Sequence, residues 1–133
     1  MSASASGVRT QTFRKAERLT SRNTFELLMK KGRQVQESPF RLIWLAEKLN
    51  TPYPAQVAFA VPKKKFKSAV HRNRIKRMMR EVYRKNKADI YPLLVTKNKQ
   101  AALLLVYSGQ TMPEFAEVEQ KLTLILQRFA EIF

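Results

Sequence analysis

The 133-residue sequence contains no cysteine, one histidine, three glycines and 10 acidic side chains. Without cysteine there is no disulfide framework, no thiolate zinc site and no cysteine nucleophile. Three glycines do not supply a phosphate-cradling loop. No acid falls three or four residues from the lone histidine, His71, so the spacing of a metal site is missing. Long apolar runs are missing too. The longest, Ala101–Tyr107, has seven residues, against the ~20 that span a bilayer. Met1 to Val8 is small and polar and reads as no signal peptide. Secreted disulfide scaffolds and helical membrane proteins are excluded, no residues of this chain are expected to be catalytic, and the missing cysteines fit a cytoplasmic location.

Positive charge is what the chain has in excess: 26 Lys+Arg give a formal net charge of +16. Residues 63–87 carry 12 of those cations and a single acid, Glu81, while residues 88–133 carry 4 basic and 5 acidic side chains. A block of like charges ordinarily signals a disordered arm. Here apolar residues recur through the block at helical spacing. With 44% hydrophobic residues the chain also has the material for a core. A polyanion is the implied partner, nucleic acid ahead of an anionic membrane surface.

The pattern predicts one α+β domain over 12–133 behind a disordered leader at 1–11. A short helix is expected over 24–31, with Asn23 and Glu26 as its capping box and Gly32 as its stop. Phe40, Leu42 and Trp44 alternate with Arg41, Ile43 and Leu45, which predicts a strand over 40–47. A second strand is expected over 55–61, with Val57, Phe59 and Val61 on its bulky face and Ala58 and Ala60 on the other. Ile75, Met78, Met79 and Val82 share one narrow face of a helix expected over 69–85. Asn73, Lys76, Arg77, Arg80 and Arg84 centre on the opposite face, about 150° away. A strand over 101–107 and a helix opened by Thr111, Pro113 and Glu114 complete the chain. That last helix carries an apolar stripe of Phe115, Val118, Leu122, Ile125, Phe129 and Ile132.

Solvated helix faces mix charge signs, and a face this uniformly basic is destabilised by repulsion unless a polyanion offsets it. Its arginines suit bidentate contact with phosphate. The basic helix therefore reads as a nucleic-acid-docking element.

The string Ala69-Val70-His71-Arg72-Asn73-Arg74-Ile75-Lys76-Arg77 resembles the protein subunit of bacterial ribonuclease P. Lys63-Lys64, Arg80-Glu81 and Arg18-Leu19 extend the resemblance, which covers about 13–83 and continues loosely through the last strand and helix. It implies a single two-layer domain of order α-β-β-β-α-β-α. A small mixed four-stranded sheet and a left-handed β-α-β crossover come with it, similar to domain 2 of the small-subunit ribosomal protein five family.

The resemblance also implies a catalytic RNA subunit and precursor tRNA as partners. That RNA, with Mg²⁺, removes the 5′ leader, and the protein itself holds no cofactor. On this sequence it places Arg72, Asn73, Arg74, Lys76, Arg77 and Arg80 against the catalytic RNA. It places Phe25, Phe40, Ile43, Phe59, Lys63 and Lys64 in a cleft for the single-stranded leader. Strand alternation alone assigns Phe40 and Phe59 to the core. Met29 stands where the family commonly has an aromatic, Pro62 where it has a small residue, and the span 84–100 looks longer than usual. A non-catalytic basic RNA-binding or ribosomal-type protein is the alternative. A DNA-binding helix is disfavoured because no helix-turn-helix pair is visible. A membrane surface is disfavoured because the basic helix has only a narrow apolar face.

Overall fold

Ser21, rather than Asn23, opens the first helix of the computed structural model, which describes residues 13–133; the leader expected at 1–11 lies outside them. The Ser21 hydroxyl accepts from the Thr24 amide at 3.3 Å, so helix α1 (Arg22–Lys31) begins two residues before its expected start. Gly32 ends it with the Leu28 carbonyl accepting from its amide. Its φ of −65° is open to any residue. Glycine is needed for space, because a Cβ there would collide with the Leu28 carbonyl oxygen and with Ile43 Cγ2 of the sheet.

The chain turns directly into β1 (Arg33–Glu37), which pairs antiparallel with β2 (Phe40–Ala46) across a cis Ser38–Pro39 peptide. β3 (Ala55–Ala60) follows the two-proline loop, the basic helix α2 (Ala69–Thr96) follows β3, and β4 (Ala101–Tyr107) follows α2. The sheet order is β1-β2-β4-β3, with β4 antiparallel to β2 and parallel to β3. It is therefore a small mixed sheet, crossed between its parallel strands by α2. Helix α3 (Phe115–Ile132) closes the chain.

Side-chain parity divides the sheet into two faces. Val35, Phe40, Leu42, Trp44, Val57, Leu103, Leu105 and Tyr107 form one core with α2 and α3. α2 contributes Ile75, Met79, Val82 and Tyr83 to it, and α3 contributes Val118, Leu122, Ile125 and Phe129. The opposite face carries Ile43, Ala102, Leu104 and Val106 under Leu19, Leu28 and the half-buried Phe25. Every residue of β4 is buried, because its strand is covered on both sides. The expected two layers are the sheet and the α2–α3 pair, and the short α1 adds a partial third.

α2 runs 11 residues beyond its expected end at residue 85, to Thr96, and contains Pro92. The helix survives because Ile90, Tyr91 and Leu94 remain buried in the core while Pro92 is exposed. The carbonyl that loses its partner to proline is left near solvent. The start of α3 differs as well. Thr111 supplies no cap; its carbonyl accepts from the Tyr107 hydroxyl at 2.7 Å, and Glu114 is the N-cap with no side-chain hydrogen bond. Ile132, expected on the apolar stripe, is 51% exposed.

The N-terminal turn, Lys15–Glu17, is fastened to α2 by a buried ion pair. Glu17 and Lys87 are 0% and 1% exposed, and their charged atoms are 2.6 Å apart. The same carboxylate accepts from the Arg14 amide at 2.6 Å and the Tyr91 hydroxyl at 2.9 Å. The Tyr83 hydroxyl in turn donates to Tyr91, 2.9 Å away. Burial holds both phenols far above the usual tyrosine range, so they remain donors.

Breaking such a pair leaves a charge stranded in the core. Glu17→Leu and Lys87→Met should each cost about 3–5 kcal/mol in urea unfolding, and the double variant Glu17→Leu/Lys87→Met should cost less than the two singles added. Additive losses would show that the two charges do not depend on each other.

Candidate nucleic-acid interface

The two sets of site residues expected from the sequence fall on different parts of the fold. On α2, Asn73, Arg74 and Arg77 are exposed, and Lys76 and Arg80 are half-buried. The core residues Ile75, Met79 and Val82 fix this face outward at the 3.6-residue period. Among the described residues, the ion pairs within 4.0 Å in this stretch engage Arg84, Lys85 and Lys87, and none engages Arg74, Arg77 or Arg80. A row of cations without acids facing outward is suited to a line of phosphates.

Arg72 is differently placed. Its guanidinium donates to the carbonyls of Phe66 and Lys67 at 2.7 and 2.8 Å. These bonds tie the lysine-rich loop to the first turn of α2. Phe66 is buried beside Tyr107 at the loop's other anchor, and the Pro62 carbonyl accepts from the amides of Lys65 and Phe66. Lys63 and Lys64 project from this braced loop into solvent. Arg72 therefore shapes the basic surface as well as belonging to it.

Phe25, Phe40, Ile43 and Phe59 do not converge on one cleft. Phe40 is 0% exposed and packs on Tyr107 at 4.9 Å, so neither face of its ring is available for stacking. Phe59 lies on the same side of the sheet as Phe40, against Phe13 and Tyr83 at 6.0 Å each. Only Phe25 and Ile43 lie on the α1 face, and Ile43 is 4% exposed. The accessible surface there is Phe25 and the shallow shelf of Ala58 and Ala60 on the edge strand β3. Strand parity, already legible as the alternation of residues 40–45, separates Phe40 from Ile43.

Parity also places Arg41 on the Ile43 face, as the alternation of residues 40–45 expects, though it is not among the expected site residues. Register sets it in one row with Val106 and Ala60, and its Nε is buried without an acceptor. The residue as a whole is half-buried, which puts a cation at this face of the sheet. Arg18 was likewise noted only as part of a motif. It sits beside Val57, and the Leu19 amide donates to the Val57 carbonyl at 3.0 Å, so the N-terminal segment flanks β3.

No group of three or more His, Cys, Asp or Glu side chains that could hold a metal ion is gathered among the described residues. No helix among the described residues is long and apolar enough to cross a membrane.

The family profile described as Ribonuclease P matches residues 13–130. The chain belongs to the ribonuclease P protein family. A curated relative, the ribonuclease P protein component of Porphyromonas gingivalis, is 31% identical over 117 residues, 87% of this chain and 85% of its own length. The RNase P protein from Thermotoga maritima superimposes with a TM-score of 0.68 at 26% identity, covering 84% of this chain and 98% of that one. The Staphylococcus aureus RNase P protein superimposes with a TM-score of 0.69 over 86% and 96% of the two chains, and at 22% identity shares the fold. The α+β architecture expected from the family resemblance is the one observed.

Within this ribonuclease P family member, Arg72 and Arg74 should separate experimentally. Arg72→Ala loses two hydrogen bonds from a charged donor and should lower stability by about 1.5–3 kcal/mol. Arg74→Ala should change stability by less than about 0.5 kcal/mol. Thermal unfolding of the two variants checks this, and equal midpoints would contradict the bracing role.

Proposed function

We propose that this chain is the protein component of a ribonuclease P ribonucleoprotein in the cytoplasm. It binds the catalytic RNA through α2, and holds the 5′ leader of precursor tRNA on the α1 face of the sheet with the help of the lysine-rich loop. Endonucleolytic removal of the leader belongs to the RNA and its Mg²⁺; the protein neutralises phosphates and positions substrate. The observation that carries this reading is the outward row of Asn73, Arg74, Lys76, Arg77 and Arg80, with no acid among the described residues paired to Arg74, Arg77 or Arg80, in a chain of the Ribonuclease P family.

The two surfaces divide the work by chemistry. Guanidiniums on a rigid helix meet a folded RNA's backbone, and each neutralised phosphate releases counterions and adds to the salt dependence of binding. The single strand has unstacked bases, and an accessible aromatic gains about 1–3 kcal/mol for each base it stacks. Phe25 is the ring placed to do this, with Arg41, Lys63 and Lys64 for backbone phosphates. Phe40 and Phe59 are assigned to the core. Met29, 60% exposed on α1, extends Phe25's surface with an adaptable apolar contact in place of a second ring.

Arg74→Ala and Arg77→Ala should each reduce the slope of log affinity against log salt for the catalytic RNA by roughly 0.7–0.9. An unchanged slope would place these arginines away from phosphate. Phe25→Ala should weaken precursor tRNA binding to the reconstituted complex and spare mature tRNA, which lacks the leader. Equal losses for the two tRNAs would return Phe25 to the core.

A further inference from the structure

The N-terminal segment, the middle of α2 and the start of α3 line a groove of about 400 Å³ whose apolar lining neither surface above uses, although it shares Arg77 and Arg80 with the α2 row. Its floor is apolar, formed by Phe13, Met78 and Phe115, and its rim is made by Arg77, Arg80 and Arg84. We propose that this groove takes one unpaired nucleotide of an RNA partner, its base on the Phe13–Met78–Phe115 floor and its phosphate on the arginine rim. The proposal deepens the RNA-binding reading and rests on it.

The volume lies within the ~300–1,000 Å³ typical of small-molecule sites. Glu81 is the one acid that lines the groove, and Arg84 holds its carboxylate at 2.7 and 3.0 Å, which keeps it below the usual carboxylate range. Among the described residues, Arg77 and Arg80 have no such partner. The Arg80 guanidinium lies 5.8 Å from the Phe59 ring with its Nε buried and lacking an acceptor. The Arg18 guanidinium lies 5.6 Å from Phe13. Burial, together with the charges of Arg18 and Arg77, works against the proton on Arg80. A phosphate at the rim offsets the repulsion among these guanidiniums.

Cations alone would accept any phosphate, and an apolar groove alone would suit a protein side chain. Aromatic rings and guanidiniums in one groove match a nucleotide, which brings a π-face and a negative charge together. A double-stranded backbone would satisfy the rim and leave the floor uncovered, so the RNA segment that docks here presents an unstacked base.

The test uses the full chain carrying Phe25→Ala, so that the sheet face contributes no stacking. Its affinity is measured for a short single-stranded oligonucleotide and for an abasic oligomer of equal length and charge. The base-bearing oligomer should bind more tightly. Phe115→Leu keeps apolar contact with α2 while removing the ring, and Phe115→Ser removes both. Each should reduce that preference by roughly 5- to 150-fold, the span of base–aromatic stacking, with the salt slope unchanged. Arg80→Ala should weaken both oligomers and flatten the slope. Equal binding of the two oligomers before Phe115 is changed, or a preference that survives both Phe115 variants, overturns the nucleotide site while leaving RNA binding intact. Absence of any salt-dependent binding overturns the RNA reading itself.

Discussion

Burying a lysine and a glutamate together is unfavourable unless each is fully hydrogen-bonded. Glu17 and Lys87 pair where the N-terminal turn lies against α2, and Tyr91 and the Arg14 amide complete the carboxylate's contacts. The rest of the basic surface is arranged from this joint. It holds Phe13 and Arg18 near α2, and it fixes the later turns of the helix to the core through Tyr83 and Tyr91. Arg77 and Arg80 are consequently presented at fixed spacing rather than on a fraying end. Rigid presentation matters because ordering long cationic side chains at the moment of binding would cost entropy that is here partly met by folding.

The sheet gives one small domain two unlike surfaces. Its α2–α3 face is a filled core, so the basic helix above it has a firm base and only its outer side is free. Its other face is incompletely covered by the ten-residue α1, which leaves Phe25 and the small residues Ala58 and Ala60 beside a strand edge. Alanine there is consequential: larger side chains on the outward positions of β3 would fill the shelf on which an extended strand can lie. Gly32 belongs to the same economy of space, letting α1 approach Ile43 closely.

Much of this was legible from the sequence because strong periodicity has one physical solution. Residues 101–107 are a continuous apolar run bounded by polar turns, and β4 has those limits. The alternation of residues 40–45 gave both faces of β2. β1 was not delineated because Arg33–Glu37 has a single apolar residue, Val35, and forms by pairing with β2 rather than by its own propensity. The extension of α2 was obscured by Pro92, whose local cost is outweighed by the burial of Ile90, Tyr91 and Leu94. The basic face was found because charge and helical period are both one-dimensional signals. The composition of the leader surface was not, since the family resemblance grouped four residues that strand parity sends to opposite faces. The roles of Arg72 and Glu17 depend on backbone carbonyls and on a lysine remote in sequence that only the fold brings alongside, which spacing does not encode.

The central claim is that the protein's cations do their work by neutralising an RNA that performs the chemistry. Titrating Mg²⁺ in precursor tRNA cleavage by the cognate catalytic RNA, with and without the full-length protein, tests it most directly. The account predicts that the protein shifts half-maximal cleavage to lower Mg²⁺, and that replacing Arg74, Arg77 and Arg80 together by alanine removes most of that shift. An identical Mg²⁺ requirement with and without the protein, in a mixture where the RNA alone is active, would contradict it.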